Sequence, residues 1–149
     1  ILLLWRNTNF NKEISTMKKH NELLALRDRE LVAGYKKILK EEFEKGAPIN
    51  RREVVNRVIN ESRPHFHVSY EHAYKVLSTI RNSENQVFRK TLRQQMWKEL
   101  LTLVEEEMRE RPYLNMGHAL SRVLAEKRAS RFYLSHEYCY KRLYNISLH

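Results

Sequence analysis

Glycine and proline are scarce in this chain, with three of each among 149 residues. Because these residues supply most tight turns and helix ends, their scarcity disfavours a sheet-rich fold and predicts long helices joined by few loops. The single cysteine, Cys139, excludes an internal disulfide framework and fits a reducing compartment. The sequence therefore predicts an all-α fold in a cytoplasmic protein.

Long apolar runs are missing as well. The opening run at residues 1–5 is shorter than the apolar region of a signal peptide or the roughly 20 residues of a membrane span. We therefore expect no membrane partner. Residues 1–20 are interpreted as an N-terminal extension, of which residues 1–16 precede the first methionine, Met17, and are either an artificial addition or native upstream sequence.

Acidic residues are outnumbered by basic ones. Lysine and arginine total 28 against 18 aspartate and glutamate residues, which gives a formal net charge of +10. Such an excess favours a polyanionic partner, with nucleic acid the first candidate, over an inert basic surface.

The chain contains an internal repeat. Residues 30–62 match residues 95–127, and residues 66–80 match residues 132–146, with one residue inserted near Ala129. Matched apolar residues recur at helical spacing, as expected for a shared core. The sequence predicts two tandem three-helix modules that pack together, residues 21–83 and 84–149. The identical pairs include Glu41 with Glu106, Glu42 with Glu107, Arg57 with Arg122, Glu61 with Glu126, Phe66 with Phe132, Tyr74 with Tyr140 and Lys75 with Lys141.

Turn and capping residues divide the first module into helices. Residues 46–48 end the first helix, Asn50 caps the second helix before Pro64 breaks it, and Ser69 caps the third. For the second module, the same plan predicts helices near residues 88–110, 116–128 and 135–146, with a start as early as residue 84 for the first of them.

Residues 49–80 and 114–146 resemble the trihelical core of helix-turn-helix DNA-binding domains, in which a capped final helix enters the major groove. The connection at residues 62–68 departs from that family because it is longer, contains Pro64 and lacks glycine. The strings FHVSYEHAYKVL and RFYLSHEYCYKRL also resemble small uncharacterised Bacteroidetes proteins, which implies a bacterial protein and supplies no activity.

The helix-turn-helix resemblance implies a set of nucleic-acid-binding residues. Cations on the second helix and the following turn would contact phosphates, and outward residues of the third helix would reach base edges. A solvated helix face is the alternative. The phosphate set is Arg51, Arg52, Arg57, Arg63, Arg122, Arg128 and Arg131, and the third-helix set is Tyr70, His72, Lys75, His136, Tyr138, Lys141 and Arg142.

A metal site is disfavoured. His65, His67 and His72 are spaced closely enough to share a metal, but the repeat replaces all three with arginine or tyrosine. We expect neither a metal nor another cofactor.

Catalytic motifs are missing too. The chain has no glycine-rich phosphate loop, no nucleophile elbow and no His-Glu-x-x-His motif. Cys139 aligns with the small residue Ala73 and is predicted to be a buried core thiol. Adjacent glutamates at 41–42 and 106–107 point about 100° apart on a helix, so we expect them in solvent. We predict that the chain is not an enzyme.

Double-stranded DNA binding, regulatory or architectural, is the leading functional prediction. RNA or ribonucleoprotein binding is the first alternative, with exposed tyrosines stacking on unpaired bases. A helical module that binds a protein partner or a second copy of the chain is the other.

Overall fold

The computed structural model contains six α-helices in the part of the chain that it describes. It describes residues 2–83 and 87–147, with side chains described over 17–83 and 87–146, and in these ranges it has no β-strand. The predicted all-α fold is confirmed. The helices are α1 (Leu2–Glu44), α2 (Arg51–Glu61), α3 (Tyr70–Asn82), α4 (Leu92–Glu110), α5 (Met116–Glu126) and α6 (His136–Ser147).

The helix ends predicted in the first half are confirmed. The side chain of Asn50 accepts hydrogen bonds from the backbone N–H groups of the first turn of α2, and Ser69 accepts one from the N–H of His72. Gly46 adopts a φ of +70° two residues after the end of α1, a left-handed conformation that ends helices. Local side-chain chemistry therefore sets these boundaries.

Helix α4 begins later than predicted. Its first residue is Leu92, and Thr91 caps it by accepting the N–H of Gln94. The side chain of Gln95 also reaches back to the carbonyl of Arg89. The predicted start near residue 88 is therefore wrong, because the cap at Thr91 keeps the helix from extending toward earlier residues. The alternative start at residue 84 lies outside the described residues.

Helix α1 includes the backbone of the predicted N-terminal extension. It is continuous from residue 2, and Lys19 forms an ion pair with Glu71 of α3 at 3.0 Å. Residues 17–20 therefore lie in the same helix as the apolar residues that begin the first module.

The first core combines helices from both halves of the chain. It lies between α1, α2 and α6, and its centre is formed by side chains with almost no exposed area. Two of its side chains come from the second half of the chain: Phe132 lies between α5 and α6, and Cys139 belongs to α6. Both pack among residues of α1 and α2. The members of this core are Leu31, Ile38, Val54, Val55, Val58, Ile59, Phe132, Cys139 and Leu143.

The second core has the reciprocal composition. It lies between α3, α4 and α5, so that Phe66, Ala73 and Leu77 of the first half pack among side chains of the second half. Burial of this apolar surface is the main stabilising contribution that each core can make. Its other members are Val68, Met96, Trp97, Leu100, Leu101, Val104, Ala119, Leu120, Val123 and Ala129.

The two segments that lead to the third helices cross each other. We call residues 62–69 the first connector and residues 127–135 the second connector. The backbone N–H of Ala129 donates to the carbonyl of Pro64 at 2.7 Å, and the N–H of Phe132 donates to the carbonyl of Ile59 at 2.9 Å. Each connector thus carries its third helix to the core of the other half.

Each third helix is thus exchanged between the halves, and matched residues of the two third helices make equivalent contacts there. In the second core, the phenol of Tyr70 occupies the space beside Gly117, where an added Cβ would lie 2.8 Å from the hydroxyl. In the first core, the corresponding residue His136 donates from Nε2 to the carbonyl of Arg52 at 2.9 Å. The guanidinium of Arg52 also covers the ring of Tyr140, 4.7 Å from its centroid. Both third helices therefore lie on the start of the other half's second helix.

Because the third helices are exchanged, the two predicted modules do not correspond to the two hydrophobic cores. The division between residues 83 and 84 separates the matched stretches of sequence, but each hydrophobic core contains residues from both sides of it.

In the described part of the chain, no helix is long and apolar enough to cross a membrane.

We expect Phe132→Leu to lower the free energy of unfolding by about 1 kcal/mol and to loosen helices of the first half. Phe132 packs with α1 and α2, so amide hydrogen exchange should accelerate in α2 more than in α5. Phe66→Leu is the matched variant and should accelerate exchange in α5 more than in α2. If each substitution instead loosened the helices of its own half, the exchanged arrangement would be incorrect.

Candidate nucleic-acid interface

Arg57, a predicted phosphate contact, is surrounded by carboxylates. Its guanidinium lies 2.6 Å from Glu42, 3.2 Å from Glu41 and 3.0 Å from Glu61. The hydrogen bond to Glu61 and the contact with Glu41 raise the pKa of Arg57. This cation therefore links α2 to α1.

Arg122 makes two of the three corresponding contacts in the second half. Its Nε donates to Glu107 at 2.8 Å, and its Nη2 lies 3.5 Å from Glu126. Arg111 also contacts Glu107 at 2.8 Å. The hydrogen bond from Arg122 lowers the pKa of the Glu107 carboxyl, with Arg111 adding to the effect. The matched arginines Arg57 and Arg122 thus share two ion-pair partners, a glutamate of the first helix and a glutamate at the end of the second helix.

Solvent exposure of the paired glutamates was predicted, and for Glu107 it is wrong. Its side chain is buried, with 5% of its area exposed, because it turns toward two arginines. Glu41 and Glu42 are half-buried beside Arg57, whereas Glu106 is exposed. Adjacent positions on a helix do point in different directions, but only one residue of the second pair faces solvent.

The predicted third-helix residues divide into bound and exposed cations. Arg142 is held by Asp28 through two hydrogen bonds, at 3.1 and 2.5 Å. Lys141 lies 3.9 Å from Glu137 on the exposed face of α6. Lys75 is exposed on α3 and makes no ion pair among the described residues. The two matched lysines are thus accessible cations on the third helices.

The aromatic and histidine residues predicted on the third helices contact other side chains. Tyr70 and Tyr138 are each about two-fifths exposed, and the Tyr138 hydroxyl accepts a hydrogen bond from Arg27. His72 is exposed, but its ring meets the ring of Trp97 edge-on, with centroids 5.6 Å apart. Each of these side chains is therefore partly exposed to solvent and partly packed against a neighbouring side chain.

Glu30 of α1 holds the first connector in place. One carboxylate oxygen accepts the backbone N–H of His65 at 3.0 Å, and the other accepts Nε2 of His67 at 2.8 Å. Burial alone would raise the pKa of Glu30, but the hydrogen bonds from both histidines outweigh burial and lower it. Burial lowers the pKa of the His67 imidazole below its ordinary 6.5, although Glu30 opposes this effect.

Glu99 of α4 holds the second connector in the same manner. It accepts the backbone N–H of Ser130 at 2.6 Å and the hydroxyls of Ser130 and Tyr133. Burial and the carboxylate together raise the pKa of the Tyr133 phenol. Each connector is therefore anchored by a carboxylate that lies on a first helix.

The crossing brings cations of both halves together. Neither connector contains aspartate or glutamate, and their exposed cations Arg63, Lys127 and Arg128 flank the crossing, with Arg131 half-buried within it. Arg128 contacts the His65 ring and lies 3.8 Å from Glu30. We call Arg63, Lys127, Arg128 and Arg131 the basic junction.

Sequence reasoning placed the junction cations in two separate modules and did not predict their proximity. Three of the predicted phosphate contacts, Arg63, Arg128 and Arg131, lie on the connectors within two residues of the hydrogen bond between Pro64 and Ala129. Arg57 and Arg122 lie in ion pairs elsewhere, Arg52 covers Tyr140, and Arg51 is exposed at the start of α2.

Two residues near the junction were not predicted. Arg27 and Arg93 line a cleft beside the connectors together with Arg131. Their only sequence signal was basic charge on long helices, which does not distinguish them from other exposed cations.

The predicted core thiol is confirmed. Cys139 is fully buried in the first core, and burial raises its pKa to about 11. A thiol with so high a pKa is protonated near neutral pH and is a poor nucleophile.

No protein-family model matches the chain, and no curated protein or solved structure matches it significantly.

We expect Glu107→Ala to lower the midpoint of thermal unfolding more than Glu106→Ala does. The first substitution leaves Arg111 and Arg122 without their shared carboxylate, whereas the second removes an exposed neighbour on the same helix turn. Circular dichroism melting curves of the two variants provide the comparison. Equal midpoints would show that the buried ion pairs add nothing to stability.

His67 should make the stability of the protein depend on pH. Its pKa is lower in the folded than in the unfolded chain, so its contribution is complete above about pH 6.5 and is lost as pH falls through that value. Chemical denaturation at pH 7.5 and 5.5 should therefore give a smaller difference for His67→Gln than for wild type. The exposed residue His118 supplies the control, and a His118→Gln variant should retain the wild-type difference.

Proposed function

We propose that the chain is a duplicated three-helix unit with exchanged third helices and that it binds nucleic acid, double-stranded DNA ahead of RNA. A regulatory or architectural role fits this binding mode. The proposal combines the basic composition of the chain with the accessible cations at the connectors and on the third helices.

The basic junction is the observation that carries the proposal. Phosphate contacts supply most of the affinity of a DNA-binding protein, and they require cations that are not already neutralised. Arg63 and Lys127 make no ion pair among the described residues, and Arg128 contacts the His65 ring and lies 3.8 Å from Glu30. Because the two carboxylates nearest the crossing bind the connectors, the cations remain available to a polyanion.

The helix-turn-helix resemblance takes a different form in this proposal. Each trihelical unit would consist of the first and second helices of one half with the third helix of the other half. In that arrangement Lys75 and Lys141 lie on exposed helix faces, where they can approach a groove. The junction cations would then position the protein on the phosphate backbone.

RNA binding has weaker support. Stacking on bases needs free aromatic faces, but Arg27 lies over the ring of Tyr138 and Arg131 over the ring of Tyr133. Tyr113 is 81% exposed and remains available. The choice between DNA and RNA is therefore an outcome of the binding experiment.

The decisive experiment is a salt titration of duplex binding, read by fluorescence anisotropy. The triple variant R63Q/K127Q/R128Q should bind a mixed-sequence duplex more weakly than wild type. Its plot of log affinity against log salt concentration should be shallower, by about 0.9 for each phosphate contact that is lost. The control K36Q/K37Q/K40Q removes the same charge from exposed positions of α1 and should change the slope less.

Further variants separate the two proposed contact surfaces. A K75Q/K141Q variant tests the third helices, and weaker binding with reduced sequence preference would assign base reading to them. Equal losses in both triple variants would mean that total charge, not the junction, drives binding. No binding of wild type to duplex or to structured RNA at low salt would refute the proposal.

A further inference from the structure

A small cleft lies where the two connectors cross. It has room for about 80 Å³ of solvent, and its walls include His65 and His67 of the first connector and Tyr133 of the second. Three arginines from three different segments also line it: Arg27 of α1, Arg93 of α4 and Arg131 of the second connector. The fold thus collects distant cations around one cavity.

An aromatic ring supports each of these arginines. The guanidinium carbon lies 5.0 Å from the ring centroid of Tyr138 for Arg27, 5.4 Å from that of Trp97 for Arg93, and 5.6 Å from that of Tyr133 for Arg131. The distances are typical of cation–π contacts. Rings that hold guanidinium groups in place reduce the conformational entropy lost when a ligand binds.

None of the three arginines forms an ion pair with a carboxylate among the described residues. The nearest carboxylates are engaged elsewhere, since Glu30 accepts hydrogen bonds from the first connector and Glu99 from the second. In addition, Nε of Arg27 is buried and has no hydrogen-bond partner. A buried donor without a partner is unusual in a native structure and suggests a missing acceptor.

We propose that this cleft binds a single phosphate group through Arg27, Arg93 and Arg131. Arginine forks match tetrahedral oxyanions, and several of them around one site favour phosphate over a carboxylate. The cleft is small and partly open, so a phosphate group can enter it while the rest of a larger phosphorylated ligand lies at its mouth. The site shares Arg131 with the basic junction, but it differs from the junction because its three arginines line one partly enclosed cleft.

The first test is direct binding of inorganic phosphate to the full chain, measured by phosphorus NMR titration at constant ionic strength. Because the site combines several charge-assisted hydrogen bonds, R131Q and R27Q should each weaken binding by about tenfold or more. R27K keeps the charge but loses the fork, and it should also bind more weakly than wild type. R109Q removes an exposed arginine elsewhere on α4 and should bind as wild type does.

Circular dichroism should confirm that each of these variants is folded. If R27Q does not fold, R27K and R131Q provide the test of phosphate binding. Equal weakening in R109Q and R131Q, or no saturable phosphate binding by a folded wild-type chain, would overturn the proposal. The triple variant R63Q/K127Q/R128Q should retain phosphate binding. That result separates failure of the cleft from failure of duplex binding.

A second measurement identifies the source of the phosphate. Single-stranded oligonucleotides with a 5′-phosphate and with a 5′-hydroxyl should be compared by anisotropy. A preference for the phosphorylated end that disappears in R131Q would assign the cleft to nucleic-acid termini. Saturable phosphate binding without such a preference would assign it to free phosphate or a small phosphate ester.

Discussion

The backbone hydrogen bonds that the second connector makes to the first connector and to the end of α2 are the constraint on which the rest of the molecule depends. They join Ala129 to Pro64 and Phe132 to Ile59, and they fix the point at which each half of the chain passes into the core of the other. Both connectors are further anchored by a carboxylate of a first helix. Because the crossing is held on both sides, Phe66 and Phe132 enter opposite cores, and each third helix follows its phenylalanine. The basic junction and the arginine cleft exist because these two segments meet.

Much of the local structure could be predicted from the sequence. Asn50, Ser69 and Gly46 mark helix ends through interactions with their own neighbours, so their roles can be recognised without knowledge of the fold. Burial of Cys139 followed from its alignment with Ala73, since a small residue in both copies indicates an interior position. The start of α4 was missed because Thr91 caps that helix within a stretch whose apolar pattern continues upstream.

The exchange could not be predicted, because matched apolar residues fit either core equally well. Leu77 and Leu143 have the same chemistry whether they pack against their own half or the other, and only the path of the connectors decides between the two. The candidate site shows the same limit. Arg57 and Arg122 resemble surface cations in sequence, but Glu42 and Glu107 from another helix bind them. Arg27 and Arg93 become neighbours of Arg131 only when three separate segments meet.

Reciprocal packing also constrains how the two copies can diverge in evolution. A tandem duplication usually frees one copy to accumulate changes while the other preserves the original role. Here a change of volume at Cys139 must be accommodated by α1 and α2, and a change at Ala73 by α4 and α5. Deletion of either half would remove a helix from both cores at once. Selection therefore acts on the duplicated chain as one inherited unit, in which neither copy is redundant.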